Sequence, residues 1–261
     1  MMLRRVLGAI AILIIAWLVL PTLVIIPMSF NSASSFNFPP KGFSLRWYEN
    51  FFTDASWLRA LGASLQVAIV TMIVATTVGV MASIGLSKVR FRGKALLENF
   101  FLTPLIVPGI VIAVGLYSLF LRFNLLGTLP GFVLAHTVVA LPLVIINVMA
   151  SLQGVDPRLE EASASLGAGR LQTFFSITLP LIMPGVTAGA LFAFVTSFDE
   201  IILSLFIQSP QLQTLPVKIY YSVTQTNDPT VAAVAVIAMF TSVIIMLSAQ
   251  FASRKRKSVS A

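Results

Sequence analysis

The segment LGAIAILIIAWLVLPTLVIIPM, from Leu7 to Met28, contains 22 consecutive residues without a charge. A helix rises about 1.5 Å per residue, so a run of this length crosses the roughly 30 Å hydrocarbon core of a bilayer. Arg4 and Arg5 precede it, as in a signal peptide, but the apolar region of a cleaved signal is usually only about 7–15 residues long. We therefore expect a retained transmembrane helix at this position.

Five more apolar runs of comparable length follow, and none alternates between apolar and polar residues as a membrane β-strand does. Together with the first run, they lie at residues 7–28, 62–86, 96–121, 131–150, 179–207 and 231–251. The sequence therefore predicts an all-α, polytopic membrane protein with six transmembrane helices.

The composition excludes several classes of protein. Hydrophobic residues make up 57% of the 261 positions and charged residues only 10%, with a mean hydropathy of +0.96. A soluble domain has about 25% charged residues, so this chain has too few to cover the surface of a soluble enzyme. The absence of cysteine excludes a disulfide scaffold, a thiolate metal site and a cysteine nucleophile.

The net charge of +8 follows the predicted topology. With a cytoplasmic N-terminus and six crossings, twelve of the 17 basic residues fall on the cytoplasmic side, as the positive-inside rule requires. These are Arg4, Arg5, Lys88, Arg90, Arg92, Lys94, Arg158, Arg170, Arg254, Lys255, Arg256 and Lys257. We expect both termini in the cytoplasm and residues 254–257 beside anionic membrane lipid, with no nucleic acid partner.

The longest outer segment, residues 29–60, contains the aromatic residues Trp47, Tyr48 and Trp57. Aromatic side chains concentrate at the headgroup level of membrane proteins. We therefore expect these three side chains to lie in the membrane interface.

The longest inner segment, residues 151–178, is predicted to contain a short helix. Asp156 can accept hydrogen bonds from the first turn, and Pro157 suits the first helical position. The helix is expected to run from Arg158 to Leu166 and to end at Gly167, because glycine readily adopts the left-handed conformation that ends many helices. A second short stretch, 170–177, is expected to end at Leu179-Pro180.

This acidic and alanine-rich helix has two possible positions. It could lie on the membrane surface, but Glu160 and Glu161 would then face an anionic leaflet. Alternatively, it could dock in a groove of a partner protein, as short amphipathic helices do. The two glutamates favour docking.

The sequence Glu161-Ala162-Ser163, then Gly167, Ile177 and Leu179-Pro180, resembles the E-A-A-x3-G-x9-I-x-L-P motif of ABC importer permeases. Every spacing agrees, and Ser163 is the only departure, standing where a second alanine is usual. The resemblance extends over nearly the whole chain, whose length and topology fit one type I importer permease subunit of a bacterial inner membrane.

In that family the cytoplasmic ATPase grips this loop, so the resemblance implies that residues 151–178 form the coupling loop. The coupling role is carried over to Glu161, Ala162 and Gly167. We expect Glu160 and Ser163 to take part in the same contact.

The resemblance also implies that residues 1–261 form one permease domain within a larger importer. Its partners would be a second permease subunit that is a different chain, two ATP-binding cassette subunits and a periplasmic or extracellular substrate-binding protein. The sequence contains no G-x-x-x-x-G-K-[ST] phosphate-binding loop, and the lone His136 has no metal-ligating neighbours. We therefore expect ATP on a partner subunit, no cofactor on this chain and no enzymatic activity of its own.

The fifth apolar run contains the residues that we expect to line the substrate path, Thr196, Asp199, Glu200 and Ser204, because polar groups inside a membrane usually face a polar cavity. Three of them are spaced by four, so a continuous helix would place them on one face. Two adjacent acids would attract a cation. Alternatively, one acid could cap a helix end or pair with an outer basic residue.

The segments 197–200 and 215–220 look like those of spermidine/putrescine permeases, in which the corresponding acidic pair is implicated in the route of the cation. A polyamine is therefore the expected substrate. Similar segments occur in importers of opines, γ-aminobutyrate, iron(III), thiamine or aminophosphonates. An alternative class, a stand-alone secondary transporter or channel, is typically built from repeated halves with buried ionisable residues, which this sequence does not show.

Other features inside the apolar runs are expected to shape the helix bundle. His136, Asn147 and Gln66 are expected to make interhelical hydrogen bonds, and Gly185-x-x-x-Gly189 permits close helix contact. Proline is expected to kink or break helices at positions 104, 108, 142 and 184.

Overall fold

The computed structural model describes residues 2–34, 38–89 and 91–257. Within these ranges the chain is mostly helical, which confirms the predicted all-α class, and its only β-bridge joins Asn31 to Phe43. Arg90 and the side chains of residues 254–257, which bear on the predicted charge distribution, lie outside the description.

The α-helices of the described ranges are α1 (Met2–Ser29), α2 (Arg46–Thr53), α3 (Ala55–Lys88), α4 (Lys94–Leu102), α5 (Gly109–Arg122), α6 (Leu129–Leu152), α7 (Pro157–Ser165), α8 (Arg170–Thr173), α9 (Leu179–Phe198), α10 (Ile202–Ile207), α11 (Leu215–Tyr221) and α12 (Thr230–Lys257). A 3₁₀ turn covers Thr103–Leu105, and π-helical turns cover Phe174–Thr178 and Ser222–Thr226.

Four helical segments in the described part of the chain are long and apolar enough to cross a membrane. They are Arg4–Ser29, Ala55–Lys88, Leu129–Leu152 and Arg170–Phe198, and they overlap the first, second, fourth and fifth predicted runs. α12 overlaps the sixth predicted run, and its stretch Thr230–Ile244 is apolar. The count of six spans and the cytoplasmic termini therefore remain predictions.

The third predicted run, residues 96–121, is not one continuous helix. α4 and α5 are bent by 101° at a break between Leu105 and Gly109. Pro104 lies in the 3₁₀ turn, and Pro108 immediately precedes α5. Because proline lacks an N–H, these two prolines remove hydrogen-bond donors at the break, and they interrupt the helix as predicted.

The fifth predicted run differs from the structure at both ends. Leu179-Pro180 does not separate a short stretch from a span, because helical structure continues from Arg170 to Phe198. Pro180 lacks an N–H and cannot donate to a backbone carbonyl in the preceding turn. The π-helical turn Phe174–Thr178 lies just before this missing hydrogen bond. At the other end the helix stops at Phe198, so the run 179–207 is divided between α9 and α10.

The chain forms two compact units, residues 1–59 with 218–244, and residues 60–217 with 245–261. In the second unit α6 packs along α9. A Cβ atom at Gly189 would lie 3.0 Å from the Cα of Val144, and one at Gly185 would overlap the carbonyl oxygen of Asn147. The Gly185-x-x-x-Gly189 pattern thus serves close helix packing, as predicted.

The first unit contains the outer segment with its aromatic residues. Trp57 is 0% exposed and packs near Phe51, with ring centroids 6.3 Å apart, and Trp47 is also buried. The indole N–H of Trp47 donates a hydrogen bond of 2.7 Å to the carbonyl oxygen of Asn31. Both tryptophans therefore belong to the core of this unit, and their side chains are not exposed to lipid headgroups as expected.

Candidate functional site

The coupling loop contains the short helix that the sequence predicts. Asp156 accepts a hydrogen bond of 3.0 Å from the N–H of Arg158, and α7 begins at Pro157. Gly167 has a φ of +86°, a left-handed conformation that side chains rarely adopt. Its N–H bonds the carbonyl of Ala164, and the next N–H bonds that of Ser163, so the helix ends in a Schellman motif.

Glu160 and Glu161 of α7 face different surroundings. Glu161 is exposed, whereas the side chain of Glu160 is only 25% exposed. The ammonium group of Lys88 donates to both carboxylate oxygens of Glu160, at 2.8 and 2.6 Å, and the hydroxyl of Thr178 donates to Oε1 at 2.5 Å. Glu160 therefore joins the coupling helix to the end of α3 and to the π-helical turn before α9.

The protonation of Glu160 reflects these contacts. Burial by itself raises the pKa of the carboxyl group. The hydrogen bonds from Lys88 and Thr178 and the charge of Lys88 lower it by more, so the pKa lies below its ordinary value of 4.5. Glu160 is consequently ionised at neutral pH, in the form that holds both donors.

Ser163 also makes a contact within the loop. Its hydroxyl shares a hydrogen bond of 2.9 Å with the hydroxyl of buried Thr173 on α8. The alanine that is usual at this position has no hydroxyl and could not make this bond. The one departure from the family motif thus has a structural use, which is to connect α7 to α8.

The rest of the loop presents an accessible and partly apolar surface. Ala162 and Gly167 are exposed, and the side chain of Leu166 is 89% exposed at the end of α7. Leu159 and Leu171 are exposed as well. A surface with large exposed apolar side chains is typical of a site that binds another protein.

The acidic residues of the predicted path lie at a break between two helices. α9 ends at Phe198 and α10 begins at Ile202, so no continuous helix aligns Thr196, Glu200 and Ser204. The alignment on one face, which required a continuous helix, is therefore not formed. Beyond the acids, where the sequence is consistent with a re-entrant or gating segment, the chain forms the separate short helix α10.

The four predicted path residues have different environments. Asp199 is exposed, and Thr196 is half-buried. Glu200 accepts a hydrogen bond of 2.9 Å from the N–H of Leu203 and so caps the start of α10. Ser204 is buried and lies 3.1 Å from Nε2 of His136. Among the described residues, neither acid forms an ion pair, so Asp199 is the open carboxylate of this turn.

The structure brings further residues to these two places. His136 makes an interhelical contact, as predicted, whereas the amide of Asn147 donates to the Leu143 carbonyl of its own helix, contrary to prediction. The sequence did not indicate that Lys88 and Thr178 contact Glu160. They lie 72 and 18 residues away from it along the chain. In the described ranges no cluster of three His, Asp or Glu is placed to hold a metal ion.

The chain is similar to known transport proteins. Residues 75–258 match the family model described as binding-protein-dependent transport system inner membrane component. The spermidine/putrescine transport system permease protein PotC of Escherichia coli (strain K12) is 35% identical over 246 residues, covering 93% of this chain and 92% of that protein. The putrescine transport system permease protein PotI of the same strain is 31% identical over 226 residues, with 84% and 80% covered.

The fold has a counterpart among solved structures. A bacterial ABC transporter involved in the import of the acidic polysaccharide alginate contains a chain that matches with a TM-score of 0.73. The match covers 98% of this chain and 96% of that one at 15% identity, so it bears on the fold alone. From the family match and the relatives, the chain belongs to the inner membrane components of binding-protein-dependent transport systems, the permease subunits of ABC importers.

Proposed function

We propose that this permease forms half of the translocation path for a polyamine, spermidine or putrescine. The observation that carries the proposal is the exposed carboxylate of Asp199, which has no cationic partner among the described residues and lies at a helix break. A carboxylate in such a place can replace part of the hydration of a polyamine ammonium group. The names of the PotC and PotI relatives support the same class of substrate.

The other predicted path residues take supporting roles in this proposal. Glu200 adds negative charge next to Asp199 while it caps α10. Thr196 lies in the last turn of α9 and can offer a hydroxyl to the passing cation. Ser204 is buried, so we assign it to the shape of the path rather than to contact with the substrate.

For the coupling loop we propose a division of work between neighbouring residues. The exposed residues Glu161, Ala162 and Gly167 contact the ATP-binding subunit. Glu160 and Ser163, whose side chains bind other parts of this chain, hold the loop in the shape that the ATPase engages. A rigidly held helix can transmit the movement of the ATPase to the spans beside it.

The proposed importer contains this chain as one permease domain over residues 1–261, with both termini in the cytoplasm. A second, different permease subunit completes the path, and two ATP-binding cassette subunits hold ATP. A periplasmic or extracellular binding protein delivers the substrate, and membrane lipid surrounds the spans. The competing proposal of a stand-alone secondary transporter or channel predicts uptake without ATP.

Uptake of radiolabelled spermidine and putrescine by cells that express the whole importer tests the proposed path. Removing the charge with Asp199→Asn should raise KM about ten- to a hundredfold, since a hydrogen bond to a charged group contributes about 1.5–3 kcal/mol. Gln211→Ala, at another exposed position beyond the turn, should leave uptake unchanged. Unchanged polyamine uptake by Asp199→Asn would overturn the assignment of this residue.

A further inference from the structure

His136 is the buried residue that connects the two helices on either side of the acidic turn. Its imidazole is 0% exposed on α6. Nδ1 lies 2.8 Å from the hydroxyl of Ser197, and Nε2 lies 3.1 Å from the hydroxyl of Ser204. Ser197 belongs to the last turn of α9 and Ser204 to the first turn of α10, so one ring spans the break that contains Asp199 and Glu200.

The chemistry of the three groups suits a fixed link. A neutral imidazole has one N–H donor and one acceptor nitrogen, and a serine hydroxyl can take either role. Both ring nitrogens and both hydroxyls can therefore be satisfied at once, which buried polar groups in an apolar setting require. Because both nitrogens are already bound, the ring has no free polar atom with which to contact a substrate.

The surroundings keep the ring in place. Phe132, one turn earlier on α6, packs against it with ring centroids 5.8 Å apart. Ser197 and Ser204 are themselves buried, and Leu203 and Ile207 of α10 belong to the same core cluster as Phe132. The acidic turn is thus anchored at each end to α6 by one hydrogen bond, and Asp199 lies between the anchors.

We propose that His136 is a positioning residue for the substrate path, which fixes the Asp199–Glu200 turn through Ser197 and Ser204. This inference rests on the proposed role of Asp199, but the link itself can be tested separately. Without the link, α10 and the turn would lose two of the contacts that hold them against α6. The open carboxylate would then be distributed over several positions, which weakens binding of a cation more than it slows later steps.

Hydrogen exchange measured by mass spectrometry on the intact importer in lipid nanodiscs tests the link directly. In His136→Phe, amides of residues 199–205 should exchange roughly threefold to tenfold faster, because a buried hydrogen bond shifts a local equilibrium by about that factor. Residues 183–193 of α9 should exchange at the wild-type rate. No change in 199–205, or a similar increase in both segments, would overturn the proposal.

The serines provide the matched controls. The double variant Ser197→Ala/Ser204→Ala should exchange like His136→Phe, and adding His136→Phe to it should have no further effect, because the ring acts only through the two hydroxyls. Should His136→Phe fail to assemble, the double variant tests the same bonds. Ser204→Thr, which retains the hydroxyl, should stay closer to wild type than Ser204→Ala, and the reverse order would contradict the link.

Uptake kinetics connect the link to transport. His136→Phe and the double serine variant should raise KM for radiolabelled spermidine and lower Vmax by a smaller factor. Loss of Vmax alone would mean that His136 has no positioning role. If Asp199→Asn transports normally while hydrogen exchange of residues 199–205 still depends on His136, the proposed function is wrong. The link between His136 and the turn would then remain supported.

Discussion

The ammonium nitrogen of Lys88 lies 2.6 Å from Oε2 of Glu160, which connects the end of α3 to the coupling helix across 72 positions of the chain. The same carboxylate accepts a hydrogen bond from Thr178, just before α9. Side-chain contacts of α7 therefore reach the ends of two long helices and not only the one that follows the loop. We call these contacts of Glu160 with Lys88 and Thr178 the brace. Its neighbour Glu161 is exposed, and in the proposed function it contacts the ATP-binding subunit.

Breaking the brace should uncouple ATP hydrolysis from transport. In proteoliposomes containing the whole importer, Glu160→Ala should lower substrate uptake per ATP hydrolysed, because the loop can then move without α3. The loss of stability should be small, about 1 kcal/mol, since the pair is partly exposed.

Glu98→Ala is the matched control, because Glu98 pairs at 3.8 Å with Lys94 of the same helix, α4, and not with a residue of the loop. It should retain the wild-type ratio of uptake to hydrolysis. Equal ratios in Glu160→Ala and wild type would show that the brace is not part of the coupling path.

The brace should also depend on pH in a defined direction. The pKa of Glu160 is lower in the folded chain than its ordinary value of 4.5. The ionised carboxylate therefore stabilises the fold fully at pH values above this ordinary pKa. This contribution is lost as the pH falls through the lowered pKa. The purified complex with Glu160→Gln should therefore have a lower unfolding temperature than wild type at neutral pH. In acid the two unfolding temperatures should become equal.

A Lys88→Gln background supplies the control for this pH dependence. In that background Glu160→Gln should lower the unfolding temperature by less, because the ammonium group of Lys88 no longer donates to residue 160. The difference in unfolding temperature between wild type and Glu160→Gln should not grow as the pH falls. Such growth would contradict a lowered pKa for Glu160.

Gly167→Val should abolish uptake and weaken association with the ATP-binding subunit. A β-branched residue at a φ of +86° costs about 1–3 kcal/mol, so the end of α7 would rearrange. Gly169→Ala is the control, because Gly169 has an extended backbone and open space around it. Normal uptake and co-purification of the ATPase with Gly167→Val would refute the coupling role of this loop.

Gly185→Ala should lower the stability of the bundle by about 1–3 kcal/mol, because the added methyl group would push α9 away from α6. Gly115→Ala, on α5 with nothing nearby, should be neutral or slightly stabilising. Thermal unfolding of the two variants in detergent measures the difference. An unfolding temperature for Gly185→Ala equal to that of Gly115→Ala would show that this helix contact is loose.

The local features were predictable because their causes are local. Asp156 and Gly167 bound α7 through capping and a left-handed φ, and both effects act within a few residues. The apolar stretch 201–207 is consistent with a re-entrant or gating segment, but the residue pattern alone does not set where α9 ends and α10 begins. The Lys88–Glu160 pair and the burial of Trp57 arise from contacts between distant segments, about which periodicity carries no information.

The most direct test of an ATP-driven polyamine importer is uptake into proteoliposomes that contain the purified complex, with ATP inside and the binding protein outside. We expect spermidine to accumulate only when both ATP and the binding protein are present, and Gly167→Val to abolish the accumulation. Accumulation without ATP, driven by an ion gradient through this chain alone, would contradict the proposed function.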